Sequence, residues 1–323
     1  MEYRYLGKSG LLISSFSLGM YTLGELMSHK QCLRLLDYAY NNGINFFDNA
    51  ESYYGGNSET KLGKVLKDLC WPRGSYLLSS KVFWGPDSDK PNCSGLTKKH
   101  IIEACNGSLR RLQTEYLDIY YCHRPDPATP LEETVLAMNH LLNQGKILYW
   151  GTSEWSAVDI LRVKLITEKL NLVGPIAEQP QYNLVYRSKV EEEFKVLYSL
   201  LDLGITTYSP LLSGLLTGKY HNIDNDNNAR LNKPGNEWIK EIVFQVEEKK
   251  LLKNTGSYVE YARSIGIKPT HLALAWCYHN KNVSSIILGA SSVNQLKDNL
   301  DTIKIIPTIK EEFYKEAEKI FLE

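Results

Sequence analysis

With 323 residues, 43% of them apolar and 23% charged, the chain is long enough for one α/β barrel or two ordinary domains and carries a real core. Its 37 basic and 37 acidic residues cancel, and a pI of about 7.0 sets no global field that would draw it to nucleic acid or an anionic membrane. No apolar run reaches the length of a membrane span, so membrane insertion is not expected, and Met1-Glu2-Tyr3-Arg4-Tyr5 lacks the apolar run of a secretory signal. The cysteines Cys32, Cys70, Cys93, Cys105, Cys122 and Cys277 form no Cys-x-x-Cys pair. They read as reduced thiols, neither a disulfide framework nor a zinc site, and the expected compartment is the cytoplasm.

In chain order, Tyr3–Leu6 and Leu11–Ser14 flank Gly7-Lys8-Ser9-Gly10 as a β-hairpin. Strands are predicted at Phe16–Gly19, Ile44–Asp48, Tyr76–Lys81, Asp118–His123, Ile147–Ser153, Pro175–Gln179, Ile205–Ser209 and Ser284–Gly289. Helical patterns at His29–Tyr40, Lys98–Leu112, Leu131–Leu142, Ala157–Leu170, Lys189–Leu201 and Thr270–His279 separate many of them. Ser28, Thr97 and Ser156 stand where N-caps are wanted, and Gly43, Gly145 and Gly204 where left-handed C-terminal caps are wanted. A polar segment from His221, continuing into a charged helix to about Lys250, is the longest departure from the alternation. No linker splits the chain, so one domain over residues 1–323 is expected. The fold class is α/β: a (β/α)8 TIM barrel with the N-terminal hairpin closing its bottom. An open doubly wound sheet would need an early Gly-x-Gly-x-x-Gly turn, which is missing.

In such a barrel the reactive groups stand at the C-terminal ends of the strands. Those ends carry Asp48, Lys81, His123, Ser153, Gln179 and Tyr208-Ser209, and Tyr53 follows Asp48 by five residues. Tyrosine, with a reference pKa of about 10, is a poor acid at neutral pH. A buried lysine beside it would lower that value, and an aspartate would hold the lysine charged. A histidine could polarise a carbonyl oxygen as negative charge develops there. Asp48, Tyr53, Lys81 and His123 thus describe an acid for an alkoxide formed by hydride attack, and the hydride requires a nicotinamide cofactor. Singly, each has a plainer reading: Asp48 a loop cap, Lys81 a solvated strand end, His123 a structural histidine, Tyr53 one of 21 tyrosines. Their joint placement at successive strand ends carries the inference. No metal is implied, because His123 has no ligand partner at metal spacing.

Several stretches, colinear over nearly the whole chain, strengthen this reading: Leu6-Gly7-Lys8-Ser9-Gly10-Leu11, Asn42-Gly43-Ile44-Asn45-Phe46-Phe47-Asp48, Lys81-Val82-Phe83-Trp84-Gly85, Arg124-Pro125-Asp126-Pro127, Tyr149-Trp150-Gly151-Thr152-Ser153 and Leu288-Gly289-Ala290-Ser291. In them the sequence resembles the aldo-keto reductases, most closely the branch containing the β-subunits of voltage-gated potassium channels. The resemblance implies NADPH (NADP+) as cofactor and a small-molecule carbonyl as substrate, with Asp48, Tyr53, Lys81 and His123 as catalytic tetrad. It implies that Ser153 and Gln179 hold the nicotinamide carboxamide and that Tyr208 stacks on the ring, with Met20, Tyr21 and Asp48 at the same cofactor site. Ser209, Pro210, Leu211 and Ser213, with Lys219 and Arg230, would close over the phosphates. Gly289, Ser291, Gln295, Asp298 and Asn299 would complete the adenine and phosphate site. Tyr54 and Trp84 would line an apolar substrate pocket.

Two departures stand out. Glu154 replaces an asparagine common after the serine of the fifth strand. His123 stands where the channel-subunit branch often carries asparagine, which favours turnover. The branch also implies a homo-tetramer and a membrane-channel partner, so a slow, cofactor-binding regulatory subunit is the alternative function. Against it, the hairpin begins almost at Met1, leaving no N-terminal segment for a tethered inactivating peptide.

Overall fold

Alternation with period two builds the barrel and, with it, the site. The structure is a computed structural model and describes residues 1–23, 27–219 and 237–322. Strands β1 (Tyr3–Tyr5) and β2 (Leu12–Ser14) pair antiparallel, Tyr3 opposite Ser14 and Tyr5 opposite Leu12. Eight more strands follow: β3 (Phe16–Gly19), β4 (Phe46–Asp48), β5 (Leu77–Val82), β6 (Leu117–Cys122), β7 (Ile147–Ser153), β8 (Ala177–Gln179), β9 (Gly204–Thr207) and β10 (Val283–Leu288). They close in the order β10-β3-β4-β5-β6-β7-β8-β9, every pairing parallel. The expected α/β barrel with an N-terminal two-stranded sheet is the fold observed.

By contact, the chain divides into two units. The first is Met1–Pro180, Ser188–Thr207 and Asn282–Leu296, and it holds the whole barrel. It also contains α1 (His29–Asn41), α2 (Asn57–Leu69), α3 (Lys98–Leu112), α4 (Leu131–Asn143), α5 (Ala157–Leu170) and α6 (Lys195–Leu201). The second is Gln181–Arg187, Tyr208–Lys281 and Lys297–Glu323, with α7 (Glu237–Val243), α8 (Glu248–Ser264), α9 (Pro269–His279) and α11 (Glu311–Leu322). Helix α10 (Val293–Ile305) begins in the first and ends in the second. Among the described residues no helix is long and apolar enough to cross a membrane.

Inside the barrel, Phe46, Ile119, Tyr121, Ala177 and Ile287 form one buried cluster with Leu6 and Ile13 of the hairpin. Leu77 and Tyr149 pack against it. Successive side chains on a strand alternate faces, so two or four residues further on the same face arrives at Asp48, Lys81, His123, Ser153 and Gln179. In β4 to β8 the N-terminal part of the inward face is plug, and its C-terminal end is polar. Gly151 leaves room for this packing, since a Cβ there would lie 2.6 Å from Tyr121 Cε1.

The hairpin is seated by close backbone approach. A Cβ on Gly7 would fall 2.4 Å from Asp202 O, and one on Gly204 would fall 2.7 Å from Gly7 N. The Lys8 N–H donates to Asp202 O at 2.8 Å. Gly204 is therefore not the helix cap expected of it. Asp202 takes the left-handed turn, with φ 50°, and Gly204 opens β9 where the hairpin presses on it. Gly43 and Gly145 do adopt positive φ, 87° and 68°.

Ser28, Thr97 and Ser156 cap α1, α3 and α5 by accepting from Gln31, His100 and Asp159 backbone N–H groups, and Ser28 with Gln31 completes a capping box. The helix expected over Lys189–Leu201 is broken at Phe194, a π-helical turn at Lys189–Glu193 preceding α6. Of the departure at His221 to about Lys250, residues 221–236 lie outside the described residues; α7 and the start of α8 occupy the rest.

Candidate active site

The ends of β4, β5 and β8 in the first unit are joined through one buried Lys81–Asp48 pair. Lys81, the penultimate residue of β5, is fully buried. Its Nζ donates to Asp48 Oδ2 at 2.6 Å, to Asn49 O at 2.7 Å and to Tyr53 Oη at 3.4 Å. The other Asp48 oxygen accepts from Ser79 Oγ at 2.7 Å and from Gln179 Nε2 at 3.2 Å. An ion pair this deep needs such additional hydrogen bonds to offset desolvation. Burial drives the Lys81 pKa down, but Asp48 and Tyr53 outweigh it and the net direction is up, so Lys81 stays charged.

Tyr53 is carried by a run of turns in which the Tyr53 N–H donates to Ala50 O at 3.1 Å and Ser58 N–H to Tyr53 O at 3.3 Å. Tyr54, Gly55 and Gly56 all take positive φ, which reverses the chain at the barrel mouth. An ammonium has donors only, so Tyr53 Oη accepts from Lys81 and its own hydrogen is directed to another acceptor. Burial pushes the phenol pKa up, and the Lys81 charge pulls it back only in part. The expectation that Lys81 lowers the Tyr53 pKa is thus corrected: its contribution has that sign, but desolvation exceeds it. Tyr53 is a protonated donor throughout the neutral range.

His123 directly follows β6, its ring 6.1 Å from that of Tyr53. Burial first, then the Lys81 and Arg124 charges, hold its pKa well below the ordinary imidazole value. It is neutral, and its buried Nδ1 meets no hydrogen-bond partner among the described residues. Around this centre lie Tyr21, edge-on to Tyr53 at 5.2 Å and 5.3 Å from Tyr54, and Trp84, 5.3 Å from His123 and 41% exposed. Trp84 therefore stands beside His123, and Tyr54 packs on Tyr21, which in turn meets Tyr53. Met20 is buried, and its carbonyl accepts from Ser58 Oγ at 2.8 Å.

Ser153 and Gln179 are register partners at the ends of β7 and β8, and Ser153 Oγ donates to Gln179 O at 2.8 Å. Glu154 takes a left-handed turn, φ 60°, and its carboxylate pairs with Lys189 at 2.7 Å. Beyond β10, Ser291 N–H and Oγ both donate to Gln295 Oε1 at 2.9 Å, and Gly289 is exposed. Thr22 Oγ donates to Ala290 O at 2.7 Å, tying this turn to the one after Tyr21.

In the second unit, Tyr208 bridges Gln181, and Ser209 O accepts from Asn183 Nδ2 at 3.1 Å. Ser209, Leu212 and Ser213 have positive φ, Pro210 is buried, and Leu211 O accepts from Gly214 N–H at 2.8 Å. Lys219 is exposed, Asn299 is buried, and Asp298 pairs with Lys268 at 2.6 Å. Arg230 lies outside the described residues.

Sequence reasoning passed over Ser79 and Arg124. Ser79 shares the inward face with Lys81, a signal present in the period-two pattern. Arg124 Nη1 donates to His123 O at 2.5 Å and Ser153 Oγ at 3.3 Å, with the guanidinium 5.6 Å from the Trp84 ring centre. Only its adjacency to His123 hints at this.

Next to Gln179, Glu178 points the other way. It is fully buried, accepting from the Thr152 hydroxyl and from Trp155 N–H at 3.1 Å. Burial pushes its carboxyl pKa up to about 8. The folded state therefore holds a proton that the unfolded chain, titrating at about 4.3, gives up first. That contribution is full below about 4.3 and is lost as pH rises through 8. Glu178→Gln, which cannot titrate, is expected to gain on wild type by a few kcal/mol as denaturant melts move from pH 5 to pH 8. A difference that is flat over that range contradicts the raised pKa.

A charged lysine paired with Asp48, a protonated Tyr53 and a neutral His123 thus meet at the mouth of a parallel barrel. The chain belongs to the Aldo/keto reductase family, whose model matches residues 15–321. Membership supports an oxidoreductase function. A protein of Oryza sativa subsp. japonica named "Probable voltage-gated potassium channel subunit beta" is 44% identical over 323 residues, 99% of this chain and 96% of that protein. One of the same name from Arabidopsis thaliana is 43% identical over 312 residues, 96% of this chain and 93% of that protein.

Proposed function

We propose that this chain is a cytoplasmic, NADPH-dependent reductase of aldehydes and ketones, with Tyr53 as general acid, in one barrel domain spanning residues 1–323. The observation that carries it is the chain of contacts Asp48–Lys81–Tyr53, in which the phenol receives a hydrogen bond from a buried cation and keeps its own proton to donate. The residues present fit the cofactor. Ser153 and Gln179 offer a hydroxyl and an amide side by side for a carboxamide. The left-handed turns at Ser209, Leu212 and Ser213 have the backbone geometry that presents N–H groups to an anion. Tyr208 follows β9 as an aromatic for stacking, Met20 and Tyr21 follow β3, and Lys219, Ser291, Gln295, Asp298 and Asn299 supply polar groups for the phosphates and adenosine.

Bound NADPH supplies the hydride that no side chain can. Neutral His123 donates one N–H to the carbonyl oxygen and orients it between Tyr54 and Trp84. Tyr53 transfers its phenolic proton to the alkoxide, completing the alcohol, and Lys81 stabilises the phenolate left behind. Asp48 keeps Lys81 charged and aimed. The test is NADPH oxidation by the purified chain with an aromatic aldehyde and a quinone; turnover supports the reading, and tight NADPH binding without turnover removes it.

The names of the two plant relatives favour a second reading, that the same barrel serves a membrane channel as its β-subunit, and the family resemblance adds a regulatory role and a homo-tetramer to that reading. His123, a polarising group for a carbonyl, favours turnover in either setting. Co-purification with a channel, with no NADPH oxidation, would select the second reading.

A further inference from the structure

Beside the Tyr53 loop lies a buried carboxylate that the proposed chemistry does not use. Glu51 is 1% exposed, and its Oε1 accepts the Phe83 backbone N–H at 3.0 Å. The same oxygen faces His100 Nε2, on the first turn of α3, at 3.3 Å without hydrogen-bond geometry. Glu51 Oε2 and His100 Nε2 are both buried without a hydrogen-bond partner among the described residues. The nearby Glu59 is placed differently: Ser80 Oγ at 2.5 Å and Arg111 Nε at 2.6 Å satisfy it, as expected of a structural ion pair.

Glu51 touches three segments at once. Its backbone N–H donates to Lys81 O at 3.2 Å, fixing the loop that carries Tyr53 two residues later against β5. Its side chain holds Phe83, the residue before Trp84. Gly85 closes over the pair, and a Cβ there would lie 3.1 Å from His100 Cε1 and 3.6 Å from Glu51 Oε2. From Trp84 the chain runs out and returns, Trp84 bridging Ser94 and Gly95 N–H donating to Phe83 O at 2.9 Å. The base of this excursion carries the Trp84 ring to its place beside His123. Glu51 therefore ties the Tyr53 loop, through its backbone, and the Phe83–Trp84 segment, through its carboxylate, into a common frame. Retaining a buried carboxylate with an unsatisfied oxygen is costly where an apolar residue could pack instead.

We infer that Glu51, backed by His100, is a positioning pair that fixes the Trp84 wall relative to Tyr53 and so sets the affinity for aromatic carbonyl substrates. This rests on the reductase reading. Glu51→Ala raises KM for an aromatic aldehyde about tenfold, with kcat within about threefold and NADPH affinity retained. Glu51→Gln keeps an oxygen for the Phe83 N–H and recovers most of the loss. In a Trp84→Ala background, Glu51→Ala adds less than about twofold in KM, because the element it positions is gone. Hydrogen exchange reports the same pair without turnover: the Phe83 amide exchanges at least about tenfold faster in Glu51→Ala, while amides of α4 are unchanged. Additive KM effects in the double variant, or unchanged Phe83 exchange, overturn the inference. If wild type shows no turnover, the reductase reading fails instead, and the exchange measurement alone decides whether Glu51 holds this segment.

Discussion

Tyr53→Phe lowers kcat for NADPH-dependent aldehyde reduction by about 10²- to 10⁴-fold, the usual contribution of a positioned general acid. The substitution is nearly isosteric, so the edge-on contact with Tyr21 at 5.2 Å and the approach to His123 at 6.1 Å survive. Lys81 loses one acceptor and keeps Asp48 and Asn49 O, so its charge and position persist. What disappears is the phenolic proton. Because burial holds the Tyr53 pKa up, the wild-type donor is present across the neutral range, and the ratio of wild type to variant is expected to be flat from pH 6 to pH 8. Steady-state kinetics with a separate NADPH titration check this. A variant that keeps more than a tenth of wild-type kcat assigns the proton to another group.

The second large effect falls on stability as well as rate. Lys81→Met leaves Asp48, 2% exposed, with Ser79 and Gln179 as neutral donors and no cation. Breaking a buried pair from one side costs about 3–5 kcal/mol, mostly the penalty of the stranded charge. Adding Asp48→Asn removes that charge, so the double variant is expected to regain much of the loss in denaturant melts, while neither variant recovers reductase activity. Equal stabilities for the single and double variants would show that the pair is not coupled as its 2.6 Å contact implies.

The barrel was legible because one alternating pattern serves both ends of each strand. Ile119 and Tyr121 in the plug share a face with His123 in the site, and Phe46 with Asp48, so locating the strands also located the chemistry. Helix α2 was not among those expected, and its N-terminus explains why: Gly56 enters it in a left-handed conformation with no side-chain cap. The break at Phe194 and the role of Gly204 depend on contacts distant in sequence, which local pattern does not encode. The direction of the Tyr53 shift was missed for a different reason. Burial and the Lys81 charge oppose each other, and only the depth of the phenol decides which wins. Ser79, Arg124 and Glu51 act through neighbours in space, and for these the sequence supplies residue types without partners.

Hydride transfer to a carbonyl carbon, with the proton supplied by Tyr53, is tested most directly with NADPH deuterated at the transferable position, an aromatic aldehyde, and mass analysis of the alcohol formed by wild type and by Tyr53→Phe. Deuterium on the carbinol carbon with wild type, falling to near background in the variant, is the predicted result. NADPH bound by wild type with no deuterated alcohol above the Tyr53→Phe background would contradict a reductase and leave a cofactor-binding regulatory subunit as the better description.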